Sequence, residues 1–282
     1  MPEICIVIPC FNEEHRLRGE EILEFVHAHE HVTICLVNDG SSDGTREAID
    51  GIRKRAAKAV LALNLPTNRG KAEAVRRGIL YAASLNRFTL IGYWDADMST
   101  PLSEMIGMLR VFDADPFCTL TMGSRIRRLG SSIQRSPVRH VVGRVFATIA
   151  SMLLNLPVYD SQCGAKILRS DVVEVLFREP FLTKWVFDVE ILARLRNWIG
   201  RDALLAAVTE VPLKEWTEVG GSKLRFRSLT KVPLELLRIA RHYNRKSAFR
   251  TPFPDQRNAS ALPTASAVSY TSKRTSRSST RP

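Results

Sequence analysis

Four apolar runs in the first hundred residues each end on a polar loop and hand over to a helical pattern. That alternation restricts the chain to an α/β architecture built on parallel strands. Glu3 to Pro9 is continuous in its apolarity and rich in β-branched residues, and Val32 to Asn38, Val60 to Leu65 and Thr89 to Tyr93 read as further strands. Strands of this kind are buried on both faces, as the central strands of a doubly wound sheet are. The intervening segments, Glu14 to Glu30, Arg46 to Ala57 and Ala72 to Ser84, read as helices. Ligands of such sheets bind in the crevice beyond the carboxyl ends of the strands, so the loops after each strand are where chemistry is expected.

Further along, Leu102 to Phe112 reads as an amphipathic helix, Cys118 to Ser124 as a strand, Val145 to Leu156 as an apolar helix and Ala165 to Leu168 as a short strand. A helix from Trp185 to Trp198, a last strand from Leu204 to Pro212 and a helix from Leu229 to Asn244 complete the body. We expect one domain over residues 1–244, with a nucleotide-binding half to residue 100 and an acceptor half beyond it. Residues 245–282 shift to Ser, Thr, Arg, Pro and Ala, a composition too poor in large apolar groups to offset its ordering entropy, and are expected to form a disordered basic tail.

The formal charge of +12 is unevenly spread. The tail holds eight Lys/Arg against the single acid Asp255, which leaves the body at only +5. A mildly basic body suits an anionic substrate, and with few aromatics interleaved among its basic residues it is a poor nucleic-acid-binding surface. Five scattered cysteines, with no Cys-x-x-Cys pair, read as buried reduced thiols. Met1 runs almost directly into a strand, and no apolar run reaches the roughly 20 residues of a membrane span. The expected location is cytoplasmic, with contact at a membrane surface left open.

Three stretches carry candidate chemistry. Asp95 and Asp97 follow the fourth strand one residue apart, an arrangement that suits a divalent cation with its own anionic ligand, or an N-cap pair for the helix beginning near Pro101. Arg69 and Lys71 flank Gly70 at a helix start, a diphosphate contact or a solvated loop. No Walker loop and no Gly-x-Gly-x-x-Gly fingerprint occurs. Between Arg125 and Arg144 the chain carries six arginines and no acid beside the apolar helix, either a solvated face or a seat for a phosphate whose lipid lies along the apolar surface. Asp188 reads as the cap of its helix.

Taken in order, Ile8-Pro9-Cys10-Phe11-Asn12-Glu13-Glu14, Asn38-Asp39-Gly40-Ser41-Ser42-Asp43-Gly44-Thr45, Asn68-Arg69-Gly70-Lys71, Asp95-Ala96-Asp97-Met98-Ser99-Thr100-Pro101 and Asp160-Ser161-Gln162-Cys163-Gly164-Ala165-Lys166 resemble the family 2 glycosyltransferases of the GT-A fold, and among them the polyprenyl-phosphate sugar transferases. Gly221-Ser222-Lys223 extends the resemblance. It implies a Rossmann-like, mostly parallel sheet flanked by helices and a metal-dependent hexosyltransferase. Pro9 and Glu13 would border the nucleotide, Asp39 would accept a hydrogen bond from uracil, and Lys71 and Gln162 would contact the donor. Asp97, with Asp95, would hold Mg²⁺ or Mn²⁺ on the diphosphate.

Arg125, Arg135 and Arg139 would face the acceptor phosphate, and Asp188 stands as a second-rank catalytic carboxylate. The implied reaction is inverting transfer of glucose from UDP-glucose to a polyprenyl or dolichyl phosphate. The alternatives are a GDP-mannose donor, or a hydroxyl of a soluble or glycan acceptor. A phosphate acceptor is already anionic and needs positioning more than a general base. With no spanning segment in view, docking on lipid would fall to the arginine-rich segment and Val145 to Val158.

Overall fold

Ile4–Cys10 (β1) lies near the middle of a sheet whose strands are all but continuous with the apolar runs of the sequence. The structure is a computed structural model that describes residues 3–219 and 232–245. Gly221-Ser222-Lys223 and the basic segment from 246 onward lie outside the described residues.

Beside β1 run Val32–Asp39 (β2) and Val60–Leu65 (β3) on one side and Leu90–Trp94 (β4) on the other, all parallel. The helices Gly19–Ala28 (α1), Thr45–Arg55 (α2) and Lys71–Ser84 (α3) connect them. The strand order reverses at β1, which opens a crevice between the loops after β1 and β4. Helix α3 buries Ala74, Val75, Gly78, Ile79 and Ala82, the spacing of a helix laid flat on a sheet. A Cβ at Gly78 would come within 2.4 Å of Val7 Cγ1 and 2.8 Å of Val37 Cγ2, so the missing side chain sets how closely α3 lies on β1 and β2.

The second half departs from a simple parallel continuation. After Glu104–Ala114 (α4), Leu120–Ser124 (β5) does not pair with β4. Ala165–Arg169 (β7) inserts between them, antiparallel to both. Val208–Pro212 (β8) closes the edge parallel to β5, giving the order β3-β2-β1-β4-β7-β5-β8. Ser132–Gln134 (β6) and Glu215–Thr217 (β9) form a small separate parallel pair. Because β7 runs backwards, Ala165 pairs with Trp94, and the residues leading into β7 arrive at the same edge as the Asp95 loop.

Three boundaries differ from expectation. The apolar helix begins at Pro137, not Val145, so Pro137–Leu154 (α5) includes Arg139 and Arg144. The segment read as a strand from Leu204 is first a helix, Arg201–Ala207 (α8), and only then β8. Gly200, at φ 85°, ends Phe187–Ile199 (α7) and starts α8 at once, and Leu204 and Ala207 supply its buried side. The first helix starts at Gly19, because Asn12, Glu13 and Glu14 are occupied in binding the β2 loop. Val173–Phe177 (α6) and Val232–Arg245 (α9) pack against α7 from two sides. All five cysteines are buried and free, and burial pushes the Cys35 thiol up to about 12.

Candidate active site

The polar loops after β1 and β2 are fastened to one another. Asn12 N donates to Ser41 Oγ (3.0 Å), Ser42 N to Asn12 Oδ1 (2.9 Å) and Glu13 N to Thr45 Oγ1 (2.7 Å). Asp39 is almost wholly buried and takes the amides of Arg69 and Gly70, each at 2.8 Å, one on each carboxylate oxygen. Burial raises its pKa against the pull of those two amides. The Asp39 carboxylate thus holds the loop that starts α3, and α3 in turn presents Lys71 at its first turn. Pro9 is the last residue but one of β1, and Glu13 is buried beside Arg16 at 3.5 Å.

Lys71 Nζ lies 2.5 Å from Asp95 Oδ1. Burial alone would lower the Lys71 ammonium, but the carboxylates of Asp95, Asp188 and Asp97 outweigh it and hold its pKa above the ordinary value. Asp97 Oδ1 accepts the amide of Ser99 at 2.9 Å, a local turn contact and not a helix cap, since α4 starts only at Glu104 behind Ser103. Gly164 faces this pair: a Cβ there would sit 2.0 Å from Asp95 Oδ2. Gly164→Ala is therefore expected to displace the Asp95 carboxylate with little change in thermal midpoint, since the atom to be moved is a side-chain tip. A fall of several degrees would show that the carboxylate cannot move aside.

Opposite stands a second ion pair. Arg125 grips Asp160 through Nε (2.6 Å) and Nη2 (2.7 Å), and its backbone amide adds a third contact at 3.1 Å. Glu210 of β8 fixes the Asp160 backbone from below by accepting the amides of Tyr159 and Asp160 at 2.8 and 2.7 Å. Burial would raise the Asp160 carboxyl, but the Arg125 charge and hydrogen bonds win and take it down to about 2. An unfolded Asp titrates near about 3.9, so this pair contributes stability above that pH and loses it as pH falls towards about 2. The stability gap between the wild type and Asp160→Asn, read from urea unfolding, is expected to stay level from about pH 8 to 5 and to shrink below about pH 4.

Asp188 is buried in the first turn of α7, behind Val186 at the N-cap position. The cap expected from sequence is not made. Its Oδ1 instead accepts the Lys166 ammonium at 2.6 Å and the Tyr93 hydroxyl. Lys166 is fully buried and spends its other two protons on the carbonyls of Ser161 (3.1 Å) and Cys163 (2.7 Å). Burial, followed by the Asp188 charge, raises the Tyr93 hydroxyl well above its ordinary value and keeps it a donor. Sequence reasoning passed over Lys166 as a functional residue. Its signal was a lysine set inside an apolar strand, Ala-Lys-Ile-Leu.

These groups meet in one cavity of about 400 Å³. Lys71, Asp95 and Asp97 form one side, and Arg125, Arg135 and Asp160 another. Val138, Val142, Phe146 and Ala147 of α5 with Trp185 and Trp216 give it an apolar wall. Arg125 also stacks over Trp216, 5.4 Å from the ring centre. Ser161 Oγ and Gln162 Nε2, of residues that line the cavity, are buried without a hydrogen-bond partner. Of the sequence-derived site residues, Asp95, Asp97, Lys71, Arg125, Arg135, Gln162 and Asp188 converge here, while Pro9, Glu13 and Asp39 do not line it. Arg139 lies in α5, and its side chain is outside the described residues.

Among the described residues no group of three or more His, Cys, Asp or Glu could hold a metal ion. Two carboxylates in a cavity, one already paired with lysine, do not make a cage for an ion held by protein alone. They fit a hard cation that takes most of its ligands from a diphosphate.

Residues 5–177 match the model described as "Glycosyl transferase family 2". The chain belongs to that family. A dolichyl-phosphate beta-glucosyltransferase of Trichomonas vaginalis is 30% identical to this family 2 glycosyltransferase over 253 residues, covering 85% of this chain and 73% of that one. The Homo sapiens dolichyl-phosphate beta-glucosyltransferase is 28% identical over 260 residues, covering 86% and 76%. Among solved structures, glucosyl-3-phosphoglycerate synthase from Mycobacterium tuberculosis, in complex with Mn²⁺, UDP and glucosyl-3-phosphoglycerate, superposes with a TM-score of 0.61 at 15% identity, covering 86% of this chain and 80% of that one. Mannosyl-3-phosphoglycerate synthase from Rubrobacter xylanophilus gives 0.62 at 20%, covering 86% and 74%. Those two likenesses concern the fold.

Proposed function

We propose that this glycosyltransferase moves glucose from UDP-glucose to a polyprenyl phosphate, with inversion at the anomeric carbon. The observation that carries this reading is the make-up of that cavity, whose lining combines a carboxylate pair, a lysine, arginines and an apolar wall. A sugar nucleotide and a lipid phosphate are both anionic, and only the second also calls for apolar surface. The dolichyl-phosphate beta-glucosyltransferases to which the chain is similar support the same choice.

In this reading the donor diphosphate lies at the start of α3, where Lys71 and the backbone amides of the helix terminus favour negative charge. Asp97, aided by Asp95, would hold Mg²⁺ or Mn²⁺ against that diphosphate; the cation would neutralise the charge that grows on the leaving group. The orphaned amide of Gln162 and hydroxyl of Ser161 are supplied with partners by the donor's polar groups. Asp39 and Glu13 frame the base end, with Asp39 reaching uracil by the lone pairs its two amide bonds leave over.

Arg125 and Arg135, which line the same cavity, receive the acceptor phosphate, and the resemblance assigns Arg139 the same role. A phosphate oxygen attacks the anomeric carbon as the bond to the diphosphate breaks, and no proton need be removed. Asp188 is poorly placed to act as base, because its Oδ1 is already occupied by a lysine ammonium and a tyrosine hydroxyl and is not open to a proton on substrate. Its remaining oxygen is better suited to a hydroxyl of the hexose.

The test is incubation with radiolabelled UDP-glucose, UDP-galactose and GDP-mannose plus polyprenyl phosphate in detergent, followed by solvent extraction. Label should move into the organic phase from UDP-glucose. Arg135→Ala should raise the acceptor KM by about tenfold while the donor KM holds, since one charge-assisted contact to phosphate is lost. Label reaching only water-soluble products would sink the lipid acceptor.

A further inference from the structure

Helix α5 is apolar on two opposite faces. Ala147, Ala150 and Leu154 point into the core, whereas Val138, Val141, Val142, Val145 and Met152 are exposed, from 44% at Val142 to 76% at Met152. The exposed set is spaced i, i+3, i+4, i+7 and i+14, which keeps it within about 60° of one line along the helix. A helix at the surface of a protein in water needs one apolar face, so a second, contiguous one marks a docking surface.

Two observations say what docks there. Val138 and Val142 belong both to this stripe and to the lining of the cavity, so the apolar wall of the site runs out without a break onto the exposed face. And from Pro116 to Tyr159 the chain has no Asp or Glu, while it carries six arginines. The segment that carries the stripe is therefore apolar and, apart from Arg125, whose charge is paired with Asp160, cationic in sequence, the complement of a bilayer with acidic headgroups.

We propose that α5 lies flat on an anionic lipid bilayer through this stripe, with the cavity opening onto the lipid. The proposal rests on the reading that the acceptor is a polyprenyl phosphate, and it says how such an acceptor enters: from the membrane, phosphate first towards Arg135, with its chain along Val138 and Val142. No helix among the described residues is long and apolar enough to cross a membrane, so α5 meets it from one side. The stripe overlaps the Val145 to Val158 segment expected from sequence at Val145 and Met152, while Ala147, Ala150, Leu154 and Leu156 in that stretch are buried. It starts two turns earlier, at Val138.

The test uses the full chain with Val141→Asp and Met152→Asp combined; neither residue lines the cavity. Sedimentation with phosphatidylcholine vesicles containing about a third phosphatidylserine, without donor or acceptor, should show the wild type bound and the double variant weakened by about tenfold or more. Both proteins should turn over a short-chain, water-soluble prenyl phosphate equally. Should the acidic pair fail to fold, Val141→Ser with Met152→Ser serves in its place, with a smaller expected loss.

Unchanged vesicle affinity would overturn the proposal. So would a fall in the thermal midpoint of the serine variant, which would mean that the chain's own residues cover the stripe, or a wild-type dimer that either variant converts to a monomer. Because vesicle binding needs no turnover, its failure leaves the transfer reaction untouched. A failed transfer assay with every donor likewise leaves the binding result standing.

Discussion

Asp97→Asn is expected to lower turnover by about a thousandfold or more while the urea unfolding midpoint stays at the wild-type value. The separation of the two readouts follows from what the side chain touches. Asp97 gives one oxygen to the Ser99 amide, and an asparagine carbonyl can accept that same bond, so the turn after β4 keeps its shape. What asparagine lacks is the negative charge offered to a cation on the donor diphosphate. Asp95→Asn is a different experiment, because it also removes the partner of Lys71 and changes two charges' surroundings at once. Undiminished turnover in Asp97→Asn, assayed with saturating Mg²⁺ or Mn²⁺, would remove the metal-site assignment.

Lys166→Met is expected to destabilise the protein by about 3–5 kcal/mol, the usual cost of leaving one member of a buried ion pair alone. That corresponds to a fall in thermal midpoint on the order of 10 °C for a domain of this size. The ammonium is fully buried and makes three hydrogen bonds, one to Asp188 and two to the carbonyls of Ser161 and Cys163. Methionine matches the volume, so the loss isolates charge and hydrogen bonding from packing. The double variant Lys166→Met with Asp188→Asn should recover a large part of the stability, since it no longer buries a lone carboxylate, and none of the activity. If the double variant is as unstable as the single one, the two carbonyls and not the ion pair account for the effect.

The first half of the fold was legible because β1, β2 and β4 are buried almost throughout, and such strands are written as nearly unbroken apolar runs. The edge strand β3 is only partly buried, yet it begins and ends where its apolar run does. The second half hid its order. Nothing in Ala-Lys-Ile-Leu says that β7 runs backwards between β4 and β5, since direction is set by tertiary pairing and not by local composition. Leu204 to Ala207 misled for a related reason: a short apolar run reads equally as buried strand or buried helix, and Gly200 decided it by restarting a helix.

Among site residues, charged groups in loops after strands stood out, and Lys71, Asp95, Asp97, Arg125 and Arg135 do share a cavity. What the motifs could not reveal is how much of their own polarity they consume. Asn12, Ser41, Asp39 and Thr45 spend theirs on neighbouring loops. Asp188 looked like a helix cap because a cap needs only sequence proximity to a helix start, whereas its partners Tyr93 and Lys166 come from two other strands.

The reversed strand β7 also bears on how the chain is made. Synthesis delivers β1 to β4 first, and at that stage β4 is an open sheet edge with its ladder unpaired. It stays so until about seventy more residues have emerged and β7 has slid in beside it. Asp95 and Asp97 sit at the end of that edge, so the loop that carries them meets Gly164 only once β7 is in place. The working centre is the seam along which two parts of one sheet are zipped together, and a substitution that slows the entry of β7 would lower the yield of folded enzyme before it altered any rate constant.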